Sequence, residues 1–262
     1  MIKKLFQVIL AVAATLALAL AQQKAPQQQA PKGKGISKKE AEAINKVINA
    51  KTPDERIAAV EELITNFADT ESKNWALQTA AEAAEQKNDY AKAIFYAKRV
   101  LENDPKYIDS LLLVARETAA HTRENDLDKD DKLAEADKDA KMALELIPEE
   151  AKPANIKATD AQWDAFKKDE TAQAHVALGL GLVVRKKFDD AAKEYQMAID
   201  NEAQPDPTHL IRLADAYNKA GKPDDAIAAA NKLLAMPGLP DQYKKFGDQE
   251  KADAEKLKAG KK

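Results

Sequence analysis

Apolar residues along this chain return at steps of three and four, the period of one helix face, and polar breaks interrupt them at intervals that themselves recur. The stretch from Asn88 to Pro105, NDYAKAIFYAKRVLENDP, sets the pattern. Asn88-Asp89-Tyr90 makes a polar break, Ala93 and Ala97 are small residues one turn apart, Val100 and Leu101 carry the apolar stripe on, and Asn103-Asp104-Pro105 stops it. The predicted elements are helices joined in hairpins. Ser37 caps a first helix, SKKEAEAINKVINAK, and Thr52-Pro53-Asp54 opens a second, DERIAAVEELITNF, with Pro53 where a missing backbone N–H costs little. Further hairpins are expected at 74–107, 108–149, 172–205 and 207–240, after the first at 37–70.

One spacing ties these hairpins together. Val47 to Arg56, Ala84 to Ala93, Leu182 to Ala191 and Tyr217 to Ala226 are each nine residues. The third unit breaks the rule: Thr118 to Ala136 is eighteen, which places an insertion near 121–131.

With those residues in hand, the units resemble tetratricopeptide repeats, whose first helix carries an aromatic, Leu-Gly and Tyr, and whose second carries Ala, an aromatic and Pro. The fourth unit offers Leu178-Gly179, Leu182, Ala191 and Tyr195 in these slots, with His175 in the first aromatic slot and Ala203 in the Pro slot. The fifth offers Leu213-Ala214, Tyr217, Ala226 and Ala230, and the second Leu77, Ala80-Ala81, Ala84, Ala93, Ala97 and Pro105. The first departs most, with Glu40 for the aromatic and Arg56 for the small residue, and is expected to be a capping hairpin. The resemblance implies an all-α, right-handed superhelix of stacked hairpins over 37–258. A helix at 241–258, amphipathic and strongly charged, is expected to cover the last repeat.

The flanks add a compartment. MIKKLFQVILAVAATLALALA has two lysines, an apolar run and an Ala19-Leu20-Ala21 end, which reads as a cleaved signal peptide at 1–21. A retained anchor is the alternative, since the run approaches the ~20 residues that span a bilayer. Residues 22–36, rich in Gln, Pro, Lys and Gly, are expected to be a disordered tether. The expected location is therefore the periplasm or the extracellular space, with no membrane span after cleavage.

Composition narrows the chemistry. With no cysteine, thiolate catalysis, Cys-type zinc sites and disulfides are excluded. Mature charge near −5 by the formal count, 39 basic against 44 acidic side chains once Lys3 and Lys4 leave, argues against nucleic acid. His121, His175 and His209 form no HxxxH or triad spacing, and Ser37, Ser72 and Ser110 have no nucleophile context, so no catalytic residue and no cofactor are expected. Gly179-Leu180-Gly181 would need a third glycine where Val184 stands, and close helix packing explains Gly179 better. Asp126, Asp128 and Asp130 alternate as in a calcium loop, with Leu133 and Asp137 further on. However, Asp131 replaces the turn glycine and Asp137 the bidentate Glu, so no metal is expected.

Between the third and fourth units, 150–171 is expected to be a linker and an extra helix, DAQWDAFKKDE, either an N-terminal extension of the fourth hairpin's first helix or a helix docked on it, in which Trp163 and Phe166 share a face and bury against that hairpin; an exposed aromatic patch for a partner is the alternative. What remains is a groove lined by the first helix of each hairpin, where the resemblance implies protein–protein scaffolding. Its candidate lining is Trp75, Gln78, Glu82 and Glu85, then Leu112 and Arg116, then Val176, Leu180 and Val183 with Gln173 beside them, then Ile211, Asp215 and Asn218 after Thr208. One end is acidic and the middle apolar. The expected partner is a protein or peptide with an apolar anchor docking near Val176 and Leu180 and a basic flank; a metabolite or glycan closed in by Trp163, or a role as accessory subunit of an envelope enzyme, is the alternative. Repeats that clamp a terminal carboxylate use Lys and Asn, which these positions lack.

Overall fold

The computed structural model describes residues 36–153, 156–202, 204 and 206–260. The signal segment 1–21, the tether apart from Ile36, and the Pro-slot residue Ala203 lie outside the described residues. Among the described residues the regular structure is helical: α1 (Lys38–Asn49), α2 (Pro53–Asn66), α3 (Lys73–Gln86), α4 (Tyr90–Asn103), α5 (Ile108–His121), α6 (Lys129–Leu146), α7 (Asp160–Val184), α8 (Phe188–Asn201), α9 (Pro207–Lys219), α10 (Pro223–Leu234) and α11 (Asp241–Gly260). The chain divides into two compact units, one running to Ser110 and taking in Ala151–Thr159, the other comprising Leu111–Glu150 and Asp160 onward.

In the first unit the helix starts are chemically specified. The Ser37 hydroxyl accepts from the Glu40 N–H at 3.1 Å. Thr52 and Glu55 form a reciprocal capping box at the start of α2, with Pro53 in its first turn. Consecutive helices pack pairwise from α1 to α4, and their facing sides bury Val47, Val60, Leu63, Leu77, Val100 and a run of alanines, among them Ala80, Ala81, Ala84, Ala93 and Ala97, at 0–1% exposure. Small residues let the helix axes approach, so this core is made of close backbone contact more than of large side chains.

The second unit repeats the scheme. Ala115, Ala140, Ala177 and Leu178 join α5, α6 and α7 in one cluster. Ala191, Ala192, Tyr195, Leu213, Ala214, Ala216 and Ala229 join α8, α9 and α10 in another. Gly179 belongs to the same logic: a Cβ on it would stand 2.5 Å from Tyr195 Cε1. Tyr195 is 2% exposed, and burial pushes its hydroxyl up to about 12 against the opposing pull of the Arg212 positive charge. The phenol therefore stays neutral at ordinary pH.

The shared nine-residue spacing has a backbone cause. Asn88 (φ 59°), Lys186 (φ 58°) and Gly221 (φ 70°) are all left-handed. Each stands four residues after the first member of its nine-residue pair: Ala84, Leu182 and Tyr217. At all three turns the following N–H reaches back to that residue's carbonyl at 2.9 Å, Asp89 to Ala84, Lys187 to Leu182 and Lys222 to Tyr217. One helix-ending turn, closed the same way, thus sets the register of three hairpins. Between α5 and α6 the inserted residues replace this turn.

Of the two forms expected for the helix of 150–171, the chain has the extension: α7 runs unbroken for 25 residues from Asp160, so the first helix of the fourth hairpin begins twelve residues before position 172. Trp163, 5% exposed, stacks on Phe166 with ring centroids 5.0 Å apart and donates its indole N–H to the Glu150 carbonyl at 3.3 Å. Nothing between Thr159 and Ala172 breaks a helix, so the pattern simply extends.

Candidate partner-binding site

On α3, Trp75, Glu82 and Glu85 are half-buried and follow one face, while Gln78 is 5% exposed. The Gln78 amide donates to Glu82 at 3.1 Å and its carbonyl accepts from the buried Ser110 hydroxyl at 2.6 Å. Gln78 therefore works inward, as a strut, and the outward part of this row is Trp75, Glu82 and Glu85.

In the second unit the expected apolar middle is closed at Val176 and half-buried at Leu180 and Val183. Val176 is 4% exposed and packs with Ala172 and Ala198, and Leu180 touches this cluster and that of Ala119, Leu133 and Ala136. Leu112 is 3% exposed. Val183 leans on the Ala191–Leu213 cluster and Ile211 on that of Leu210, Leu233 and Leu239. Val176 is therefore not available as an open docking anchor, a correction whose cause is packing: Ala198 of α8 closes over it beside Ala172. Arg116 reaches Glu117 at 3.2 Å and Gln173 at 3.0 Å, which spends both polar groups on one link between α5 and α7.

The fifth-unit residues meet the chain's own last helix. Asn218 donates to the Glu250 backbone carbonyl at 2.9 Å and to its carboxylate at 2.8 Å. Burial raises the Glu250 carboxyl above the usual range, and Asp215 and Asp253 add to this while Asn218 opposes it. Asp215 itself pairs with Lys219 at 2.7 Å. The helix expected to cover the last repeat, α11, does so over these positions.

The polar motifs find structural partners. His175 contacts Glu194 at 2.8 Å, His209 pairs with Glu202, and His121 stands 3.4 Å from Glu117. In the acidic loop Asp126 accepts from the Arg123 N–H at 3.1 Å, Lys132 lies 3.6 Å from Asp126 and 2.9 Å from Asp128, and Asp137 faces Arg185 at 3.0 Å. The Arg123 N–H is the main cause that holds the Asp126 carboxyl below its usual range. Among the described residues no group of three or more His, Asp or Glu side chains converges as a metal site would, and no helix is long and apolar enough to cross a membrane.

The class is thus an all-α protein of helical hairpins, repeated in register and closed by a terminal helix. Neither a protein-family model nor a curated protein matches the sequence. Among solved structures it is similar to a thermophilic TPR protein of Thermus thermophilus, at 18% identity and TM-score 0.54 over 76% of this chain and 90% of that one. It is also similar to MamA, residues 41 to the end, of Desulfovibrio magneticus, at 16% identity and TM-score 0.49 over 76% and 95%. The first of these carries the assignment: the chain has the tetratricopeptide-repeat fold.

Proposed function

We propose that the chain is an exported tetratricopeptide scaffold that holds a protein or peptide partner in the bacterial cell envelope and does no chemistry itself. The observation that carries this reading is the row on α3: Trp75, Glu82 and Glu85 are half-buried along one face, an aromatic beside two carboxylates, with Gln78 turned inward to Ser110. An aromatic anchor beside acidic side chains fits a partner segment with one apolar residue and a basic flank. The signal-like start of the sequence supports export. Ligand closure by Trp163 finds no support, because the indole is buried against Phe166 and bonded to Glu150.

The test has two arms. Crosslinking in the native envelope followed by purification is expected to capture a partner with the wild-type chain and to lose it with Glu82→Lys/Glu85→Lys, at unchanged helical signal. Capture that survives this charge reversal places the binding surface elsewhere. N-terminal sequencing is expected to find the mature chain starting at Gln22 in the envelope fraction; Met1 intact on cytoplasmic protein overturns the export reading.

A further inference from the structure

The outer face of α4 is unlike that of its counterparts in three other hairpins. In α2, α8 and α10 the third residue is acidic, Glu55, Asp190 and Asp225, as the positive helix start favours; in α4 it is Lys92. Three residues on, where those helices carry Ala58, Lys193 and Ala228, α4 carries Phe95, 55% exposed. Arg99 lies over the Phe95 ring, 5.6 Å from its centroid, and Lys92, its side chain 58% exposed, meets Asp89 at 3.8 Å. None of the three serves the core of the hairpin, to which α4 turns Ala93, Ala97 and Val100 instead.

Lys92, Phe95 and Arg99 are the chemistry that the α3 row asks of its partner, one apolar residue with a basic flank. The spacings agree as well. Lys92 to Arg99 and Trp75 to Glu82 are each seven residues, two turns, or about 10 Å along one stripe. With the two helices antiparallel, Arg99 comes over the Trp75 indole as a cation on a ring, Lys92 comes to Glu82 and Glu85, and Phe95 fills the row between them. Glu102, exposed and three residues past Arg99, then falls beside Lys73, two residues before Trp75. A parallel arrangement would set Glu102 against Glu85 instead, so charge selects the antiparallel one.

We propose that the α3 row receives α4 of a second copy of this chain. This rests on the reading of that row as a partner site and names its occupant. The giving and receiving faces are different surfaces of one hairpin, so copies join head to tail and the contact does not close on itself. It is one helix wide and about 21 Å long over the 14 residues of α4, a size that belongs to weak, reversible assembly.

Sedimentation of the purified full chain over a wide concentration range tests this. The wild type is expected to grow beyond the dimer as concentration rises. Glu82→Lys/Glu85→Lys, which spoils the receiving face, and Lys92→Ser/Arg99→Ser, which spoils the giving one, are each expected to stay monomeric with an unchanged helical signal. Mixed one to one they are expected to form a dimer and stop there, because one intact α4 meets one intact α3 row and the remaining pair of faces is spoiled on both sides. A wild type that stays monomeric, a variant that assembles alone, or a mixture that stays monomeric or grows past the dimer overturns the proposal. The reading of the α3 row is judged apart from it: a monomeric wild type that still captures a different protein in the envelope, and loses it with Glu82→Lys/Glu85→Lys, keeps that reading and overturns the second copy as occupant.

Discussion

Gly179→Ala is the substitution for which helix propensity and packing pull in opposite directions. In an open helix, glycine to alanine gains about 1 kcal/mol. Here the new methyl would lie 2.5 Å from Tyr195 Cε1, 2.8 Å from Cδ1 and 3.0 Å from Cζ, against the roughly 3.5–4.0 Å that carbon contacts prefer. The ring cannot swing aside, because it is 2% exposed and packed among Ala191, Ala192, Leu213 and Ala214. α7 and α8 must part or the ring must leave its rotamer, at about 1–3 kcal/mol. Packing wins by about 1 kcal/mol, which lowers the melting midpoint by about 2–4 °C for a chain of this size. Thermal melts of Gly179→Ala, Tyr195→Leu and the double variant form a cycle. In it the methyl is expected to cost less once the ring is gone. A single variant that melts higher than the wild type, or a cycle with no coupling, refutes the close approach.

Three further outcomes follow from the same geometry. Ala191→Leu forces a large side chain into a site of 0% exposure and is expected to cost about 1–3 kcal/mol; an unchanged melting midpoint would mean that the hairpin register is misassigned. Lys186→Gly removes a left-handed lysine, relieving about 1 kcal/mol of backbone strain, and loses only an exposed ion pair to Glu124, so the midpoint should rise; a fall would show that the ion pair outweighs the turn. The folded-state pKa of Glu250 is raised above the ordinary 4.5, so the folded chain holds that proton more tightly than the unfolded one. Ionising it on the way up to neutral pH therefore costs stability. Glu250→Gln, which still accepts from Asn218, should accordingly stabilise at pH 7, with the gain fading as pH falls through the raised value towards 4.5; an equal gain at pH 4 and 7 would sink this account.

What the residues alone determined is whatever a short stretch can impose. Ser37 and the Thr52–Glu55 pair announce helix starts through bonds to their own neighbours, and they form as expected. The nine-residue spacing encodes a turn whose closure is local, and Gly179 was legible because a helix interior tolerates glycine only for a packing reason. Even the insertion near 121–131 is visible as a doubled spacing, and the structure shows α5 ending at His121 and α6 starting at Lys129.

Tertiary structure decided everything that depends on who lies across from whom. Val176 reads as one apolar side chain on an outward row, and only the approach of Ala198 from α8 turns it into core. Asn218 reads as a groove residue, yet α11, more than twenty residues later, takes both of its bonds. Trp163 reads as one ring on a helix face, and only the fold shows that its indole reaches the Glu150 carbonyl. Helix starts and turns are set by neighbours a few bonds away, so a sequence can state them; exposure is set by the partner helix, and the same period of three and four serves a buried row and an open one alike.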